Sequence, residues 1–442
     1  MIQLSDHFTY KKLLRYTFPS IVMLIFTSIY GVVDGLFVSN FVGKTAFAAV
    51  NFILPVLLVL GGIGFMFGTG GSALIAKTLG ENDKKKANEI FSLIIYVSMA
   101  CGIVLTVLGF IFLKPVAVLL GAEGQLLKDS IIYGHIYLLG VPAAVLQCEF
   151  QCLFATAEKP NLGLGVTLGA GFTNIILDAL FVGVFKWGIE GAAAATVLSQ
   201  CMGGIIPLIY FSFKNGSQLR LTKTKFDGKV LLKCCTNGSS ELLNNISMSI
   251  VGMLYNVQLL EYAGENGVAA FGVIMYVNFI FLSIFIGYVV GTAPIISYHY
   301  GAKNYGELKG ILKKSLVIIG VNAVIMWILS QVLGKPLSMI FIGYDKDLLS
   351  MTLRGFFIYS FSFLFAGFAI FGSSFFTALN DGLISAIISF MRTLLFQVIT
   401  VSILPLIWHL DGIWVSTVAA EAMATAVVII FLIAKRKKYQ YF

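Results

Sequence analysis

Apolar runs long enough to cross a bilayer recur from end to end of this 442-residue chain, and that recurrence limits its fold more than any other feature. A membrane-spanning helix needs about 20 predominantly apolar residues. Twelve candidate spans, with soft edges, fall at 13–40, 46–79, 90–113, 130–156, 162–185, 188–213, 231–262, 267–300, 310–333, 351–379, 382–408 and 412–434. A spanning β-barrel is read from short alternating segments, and these runs are too long and too uniformly apolar for that. Charged residues make up 12% of the chain, where a soluble domain carries about 25%. Water-soluble and disordered classes are thereby excluded. The expectation is an all-α polytopic membrane protein.

The basic residues orient it. With the N-terminus placed in the cytoplasm, 22 of the 30 Lys and Arg fall in the cytoplasmic loops and span edges, seven fall in the opposite set, and Arg392 stays inside a span. That bias predicts both termini on the cytoplasmic side. The net charge of +9 is thus a matter of topology, and no nucleic-acid partner is expected. No cleavable leader is expected, because the first apolar run is too long for a signal peptide. The six cysteines show no CxxC spacing and read as free thiols. Prolines inside the runs, among them Pro19 and Pro142, mark places where spans can kink.

The longest polar interruption, Lys214 to Lys233, divides the chain nearly in half. It predicts an N-terminal lobe over 1–213 (spans 1–6), a cytoplasmic linker over 214–230 and a C-terminal lobe over 231–442 (spans 7–12). The halves resemble each other. Residues 47–56 (FAAVNFILPV) align with 268–277 (VAAFGVIMYV) at an offset of 221, which also pairs Gly43 with Gly264, Gly70 with Gly291 and Gly80 with Gly301. Six spans per half is an even number, so the repeats share one orientation, an architecture known from transporters.

Five carboxylates lie well inside spans: Asp34, Glu149, Asp178, Glu241 and Glu421. A charge there costs roughly 2.5–3.5 kcal/mol on insertion scales, which makes each a functional candidate. Asp34 and Asp178 lie roughly six residues from the outer ends of spans 1 and 5, and Thr196 about seven inside span 6, so at ~1.5 Å per residue all three sit near one level. Asn174 and Tyr30 precede the two acids by four residues and share their helix faces. Such a group suits either an oxygen-lined cation site or a proton site, because neighbouring carboxylates in low dielectric do not both ionise readily. At the equivalent positions the second half has Tyr255, Ser402 and Ala420. A polar cluster confined to one copy points to function rather than to the needs of the fold.

Twelve spans in two six-span lobes resemble the multidrug and toxic compound extrusion (MATE) family of secondary antiporters. The residues that carry the resemblance are Pro19, Tyr30 and Asp34 in span 1, Asn174-x-x-x-Asp178 in span 5 and Thr196 in span 6. They are similar to the cation site in the first lobe of one prokaryotic branch. The resemblance implies that span 1 bends at Pro19 when site occupancy changes, and that Tyr133 belongs to the first-lobe cavity. Another branch couples through acids in spans 7 and 10; here span 7 offers Glu241 while span 10 has no acid.

Gln147, Glu149, Gln151 and Glu241 are weaker candidates for the substrate cavity, and Glu421 with Arg392 reads as a structural pair. Glycines 61, 62, 64, 68, 70 and 71 have no Lys-Ser/Thr in register and read as close helix packing rather than a phosphate loop. With no Walker motif, metal cluster or catalytic triad, the chain is not expected to be an enzyme or to need a cofactor beyond its coupling ion. The reading is a monomeric exporter of amphiphilic, cationic organic compounds in a bacterial cytoplasmic membrane, exchanging H+ or Na+ at Asp34, Asn174, Asp178 and Thr196. The paired carboxylates favour protons. A lipid-linked saccharide flippase is the alternative within transport, and a non-transporting membrane receptor or enzyme the alternative outside it.

Overall fold

The computed structural model describes residues 2–342 and 345–441, leaving aside the side chains of Leu36, Lys44, Ile340 and Phe341. All regular structure among the described residues is helical. The long helices are α1 (Tyr10–Phe37), α2 (Lys44–Gly80), α3 (Lys84–Leu119), α4 (Gly124–Thr156), α5 (Pro160–Asp178), α6 (Gly188–Ser212), α7 (Gly228–Gly301), α8 (Tyr305–Ile342), α9 (Lys346–Tyr359), α10 (Phe363–Ala378), α11 (Gly382–Phe390) and α12 (Phe396–Tyr439). Several starts are specified locally. The side chains of Thr9, Asp83, Asp227 and Asp345 accept hydrogen bonds from backbone N–H groups of the first turns of α1, α3, α7 and α9, which satisfies donors that a helix start leaves free.

Among the described residues these helices form ten continuous stretches long and apolar enough to cross a membrane, where the sequence suggests twelve runs. The difference lies in two places. Spans 7 and 8 lie within α7, whose 74 residues would reach about 110 Å if straight. Gly264 breaks α7 with φ 61° and ψ −154°, a region open to a residue without Cβ. Both ends of α7 pack on the same end of α2: Cys234 and Gly238 lie against Gly70, and Gly301 lies against Lys77. The chain therefore turns back at Gly264. The stretch 382–439 repeats the device at His409 (φ 49°, ψ −131°), and its two ends meet where Lys438 Nζ pairs with Asp381 Oδ2 at 3.3 Å.

Helix packing follows the internal repeat. A methyl group built on Gly70 would come within 2.8 Å of Gly238 N, and one on Gly291 within 2.9 Å of Thr17 Cγ2. Residues 70 and 291, like 17 and 238, are related by the offset of 221. The two contacts are one contact seen from both sides of a pseudo-two-fold axis. The glycine-rich run of α2 serves this packing: Gly64 meets the backbone of Val145, Gly68 the Cα of Glu149 and Gly71 the side chain of Ile94.

One face of the bundle gathers both termini and the ends of many helices. Leu4 N donates to Glu158 Oε1 at 2.7 Å, Phe8 N to Glu307 Oε1 at 2.8 Å, and Lys314 Nζ to Phe8 O at 2.6 Å. Residues 2–9 thus bridge the end of α4 and the start of α8. Away from this face, α3 turns Val104, Val107, Ile111 and Phe112 outward, as a lipid-facing surface requires. A separate apolar cluster, including Val38, Ile53, Tyr133, Val182 and Ile189, packs the part of the first half remote from this face. It encloses the polar group described next.

Candidate cation site in the first half

Four helices each bring a pair of polar residues four positions apart: Tyr30 and Asp34 on α1, Tyr133 and Tyr137 on α4, Asn174 and Asp178 on α5, Thr196 and Gln200 on α6. Spacing by four places both members on one face. The carboxyl group of Asp34 meets that of Asp178 and the amide of Asn174. Tyr133 lies beside Thr196, and Tyr137 beside Gln200 one turn deeper. Tyr30 reaches Gln147 on α4. Asp178 is wholly buried and Asn174 is 1% exposed.

The helix path changes beside both acids. After Asp34, α1 passes into a π-helical turn at Val38–Val42, and Asp178 is itself the last α-helical residue before another at Ala179–Val184. Such turns widen the helix and are frequent at functional sites.

The site is short of donors. Asp34 Oδ1, Asn174 Oδ1 and both carboxylate oxygens of Asp178 are buried with no hydrogen-bond partner. Thr196 Oγ1 spends its proton on Ala192 O at 3.0 Å, which leaves its lone pairs for Tyr133 or a ligand. A buried oxygen without a donor costs about 1–3 kcal/mol, and more when charged. The arrangement is complementary to positive charge. One proton held between the two acids, or a hard cation among the oxygens, satisfies it. Among the described residues no group of three or more His, Cys, Asp or Glu gathers into a metal site, so the donor set is carboxylate, amide and hydroxyl oxygen.

The other sequence candidates fall elsewhere. Glu149, fully buried, accepts from Ser98 Oγ at 2.5 Å inside the α3–α4 contact. Gln151 is 5% exposed, and its Oε1 has no partner. Glu241, about four turns into α7, is held by Asn244 Nδ2 at 3.4 Å. Pro19 is buried within a helix that runs through it unbroken. The anticipated pair in the second half is present: Arg392 Nε donates to both oxygens of Glu421, at 3.1 and 2.9 Å. Beside it, Tyr255 OH bonds to Gln397 Oε1 and Thr417 Oγ1, each at 2.9 Å. Sequence reasoning missed Tyr137 and Gln200. Each lies four residues beyond a residue that was singled out, so helical spacing alone would have reached them.

Parallel repeats, a membrane-spanning bundle and a buried oxygen site in one repeat define a membrane transporter. The chain belongs to the MatE family, whose profile matches it twice, over residues 19–180 and 242–403. It is 26% identical over 368 residues to the multidrug export protein MepA of Staphylococcus aureus (strain MSSA476), covering 81% of this chain and 80% of that one. To the multidrug export protein MepA of Staphylococcus saprophyticus it is 25% identical over 366 residues, with the same coverage. Among solved structures, a multidrug resistance MATE family transporter of the MOP superfamily in its outward-facing conformation superposes with a TM-score of 0.93 at 21% identity, over 99% of this chain and 98% of that one. A MATE protein in the bent conformation gives a TM-score of 0.87 at 22% identity, over 99% and 96%. These relatives are transporters and not enzymes, in agreement with the sequence.

Proposed function

We propose that this protein is a multidrug exporter that exchanges a monovalent cation, H+ or Na+, for amphiphilic cationic organic compounds. The observation that carries the reading is the set of four unpartnered oxygens on Asp34, Asn174 and Asp178, confined to the first half. An entering cation neutralises these oxygens and so competes with a cationic substrate for the same negative charge; that competition is the basis of exchange. Tyr30, Tyr133 and Thr196 frame the coupling site, and Gln147, Glu149, Gln151 and Glu241 belong to the path of the substrate. Pro19, which denies α1 one backbone hydrogen bond, is the point at which α1 bends as occupancy changes. The paired carboxylates favour protons as the coupling ion.

The bundle works as two lobes, 1–213 and 231–442, joined by 214–230, with twelve crossings once the reversals at Gly264 and His409 are counted. The face that gathers both termini is cytoplasmic, in a bacterial cytoplasmic membrane, and the functional unit is the monomer. Purified protein in liposomes, loaded with a fluorescent organic cation under imposed proton or sodium gradients, tests this. Gradient-driven movement of the dye is the expected result. Movement of lipid-linked saccharide instead would make the protein a flippase, and movement of neither would reject transport.

A further inference from the structure

A cavity of about 1170 Å³ opens where the start of α3, the linker and the start of α7 meet. Five lysines line it: Lys85 and Lys86 from α3, Lys223 and Lys225 from the linker and Lys229 from α7. None of the five takes part in an ion pair among the described residues. Two acids also line it, but Asp227 is engaged in capping α7 through Lys229 N at 3.0 Å. Glu89 is left to face five ammonium groups.

An aspartate caps each of the two helices, Asp83 for α3 and Asp227 for α7, but the first turns that follow are basic. A helix N-terminus carries partial positive charge and favours acids in its first turn. Here α3 opens Lys84-Lys85-Lys86 and α7 opens Gly228-Lys229, with no acid in either first turn. Two helix starts and a linker thus concentrate five lysines on one cavity, against Glu89 and the capping Asp227. The linker is held there, with Arg220 N donating to Asn88 Oδ1 at 2.6 Å and Thr222 N to Ser92 Oγ at 2.8 Å.

Apart from Thr224, the rest of the lining is without polar side chains. Ile90 and Leu93, about two turns into α3, form a buried floor, and Leu232 and Phe226 are 67% and 78% exposed at the edge. Polarity therefore grades across the cavity from lysine to exposed hydrocarbon, as it does along a phospholipid from headgroup to acyl chain. A free phosphate has no use for the apolar wall.

We propose that this cavity binds the phosphodiester headgroup of an anionic phospholipid, with an acyl chain along Leu232 and Phe226. Bound there, the lipid ties α3 of the first half to α7 of the second. Its assignment to the inner leaflet rests on the orientation proposed above, whereas headgroup binding does not. The test uses full-length protein in nanodiscs, whose two leaflets are alike, so an error of orientation leaves the readout unchanged. Phosphatidylglycerol is titrated into phosphatidylcholine; thermal stability and the lipid retained in native mass spectrometry are read.

Phosphatidylglycerol raises the melting temperature of the wild type and is retained. The variant Lys85→Gln/Lys223→Gln/Lys229→Gln weakens that apparent affinity on the order of a hundredfold, at about fivefold for each lysine, and the corresponding Lys→Arg variant restores it. Lys303→Gln/Lys309→Gln/Lys313→Gln, outside the cavity, leaves it unchanged. If the first triple variant does not insert, Lys223→Gln and Lys225→Gln alone, both in the linker, each weaken binding about fivefold. The proposal is overturned if the control variant loses as much, if phosphatidylglycerol has no effect, or if inorganic phosphate in pure phosphatidylcholine protects equally well.

Discussion

Gly80 and Gly301 are mirror partners: a methyl group on Gly80 would strike the backbone carbonyl of Tyr298, and one on Gly301 would strike that of Lys77. The offset of 221 that relates the glycines also relates Lys77 to Tyr298. The two halves therefore close on each other through backbone at the face that holds the termini, with no side chain between them. Close-packed interfaces have discrete arrangements rather than a continuum, which suits this seam to opening and closing as a unit.

A wedge at either glycine should part the seam. Gly80→Val and Gly301→Val each cost about 1–3 kcal/mol of overpacking. Cys234, buried beside Gly70 and Gly71, reports on it in a variant that keeps this cysteine alone. Maleimide labelling of Cys234 should speed up by a similar factor in both. A large effect in one and none in the other would reject the mirror relationship.

Asp34→Asn and Asp178→Asn should each abolish gradient-driven export while the protein remains inserted, because each removes a charge from the donor-poor cluster. Efflux from proteoliposomes at wild-type rate in both variants would place the coupling site elsewhere. Glu421→Gln should reduce efflux less, since its carboxylate is engaged by Arg392.

Asn174 and Thr196 separate the two candidate ions, for neither titrates near neutral pH. With sodium as the coupling ion, Asn174→Ala and Thr196→Ala raise the sodium concentration needed for half-maximal efflux. With protons, the same changes shift the pH profile and leave sodium without effect. Efflux that follows sodium at fixed pH, and stops without it, would settle the matter against protons.

Arg392 and Glu421 form a pair with side chains only 13% and 7% exposed. Removing one partner strands a buried charge, at about 3–5 kcal/mol. Arg392→Gln and Glu421→Gln should each lower the melting temperature, and the double variant should lose less than the sum. Additive losses in a thermal melt would show that the two groups act independently.

Asp381 lies between α10 and α11, outside the spans. Burial by itself pushes its carboxyl up, but hydrogen bonds from Tyr439 and Lys438 outweigh this and hold it below the usual carboxylate range. A depressed folded-state value stabilises above the unfolded pKa of about 3.9, and that contribution is lost as pH falls through the folded value. Asp381→Asn should therefore lower the melting temperature at pH 7 and make little difference near pH 3. An equal difference at both values would mean that the charge on Asp381 is irrelevant.

Much of this protein follows from patterns that lie within single helices or repeat along the chain. Run length and missing charge dictate a membrane bundle. The offset of 221 reveals the duplication, and spacing by four gathers Asn174 with Asp178 and Tyr30 with Asp34. Contacts between helices depend instead on how each helix is rotated against its neighbours, which close packing at residues such as Gly70, Gly291 and Gly301 sets. Only the tertiary structure brings the carboxyl of Asp34 to that of Asp178, adds Tyr137 and Gln200 to the cluster and turns Glu149 toward Ser98. The reversal at Gly264 is legible, for it falls between the runs 231–262 and 267–300; only the tertiary structure shows that one residue with positive φ makes it inside an otherwise continuous helix. The donor shortage at Asp178 is likewise a tertiary property: a sequence displays the oxygens a chain carries, whereas packing determines which of them are left without a proton.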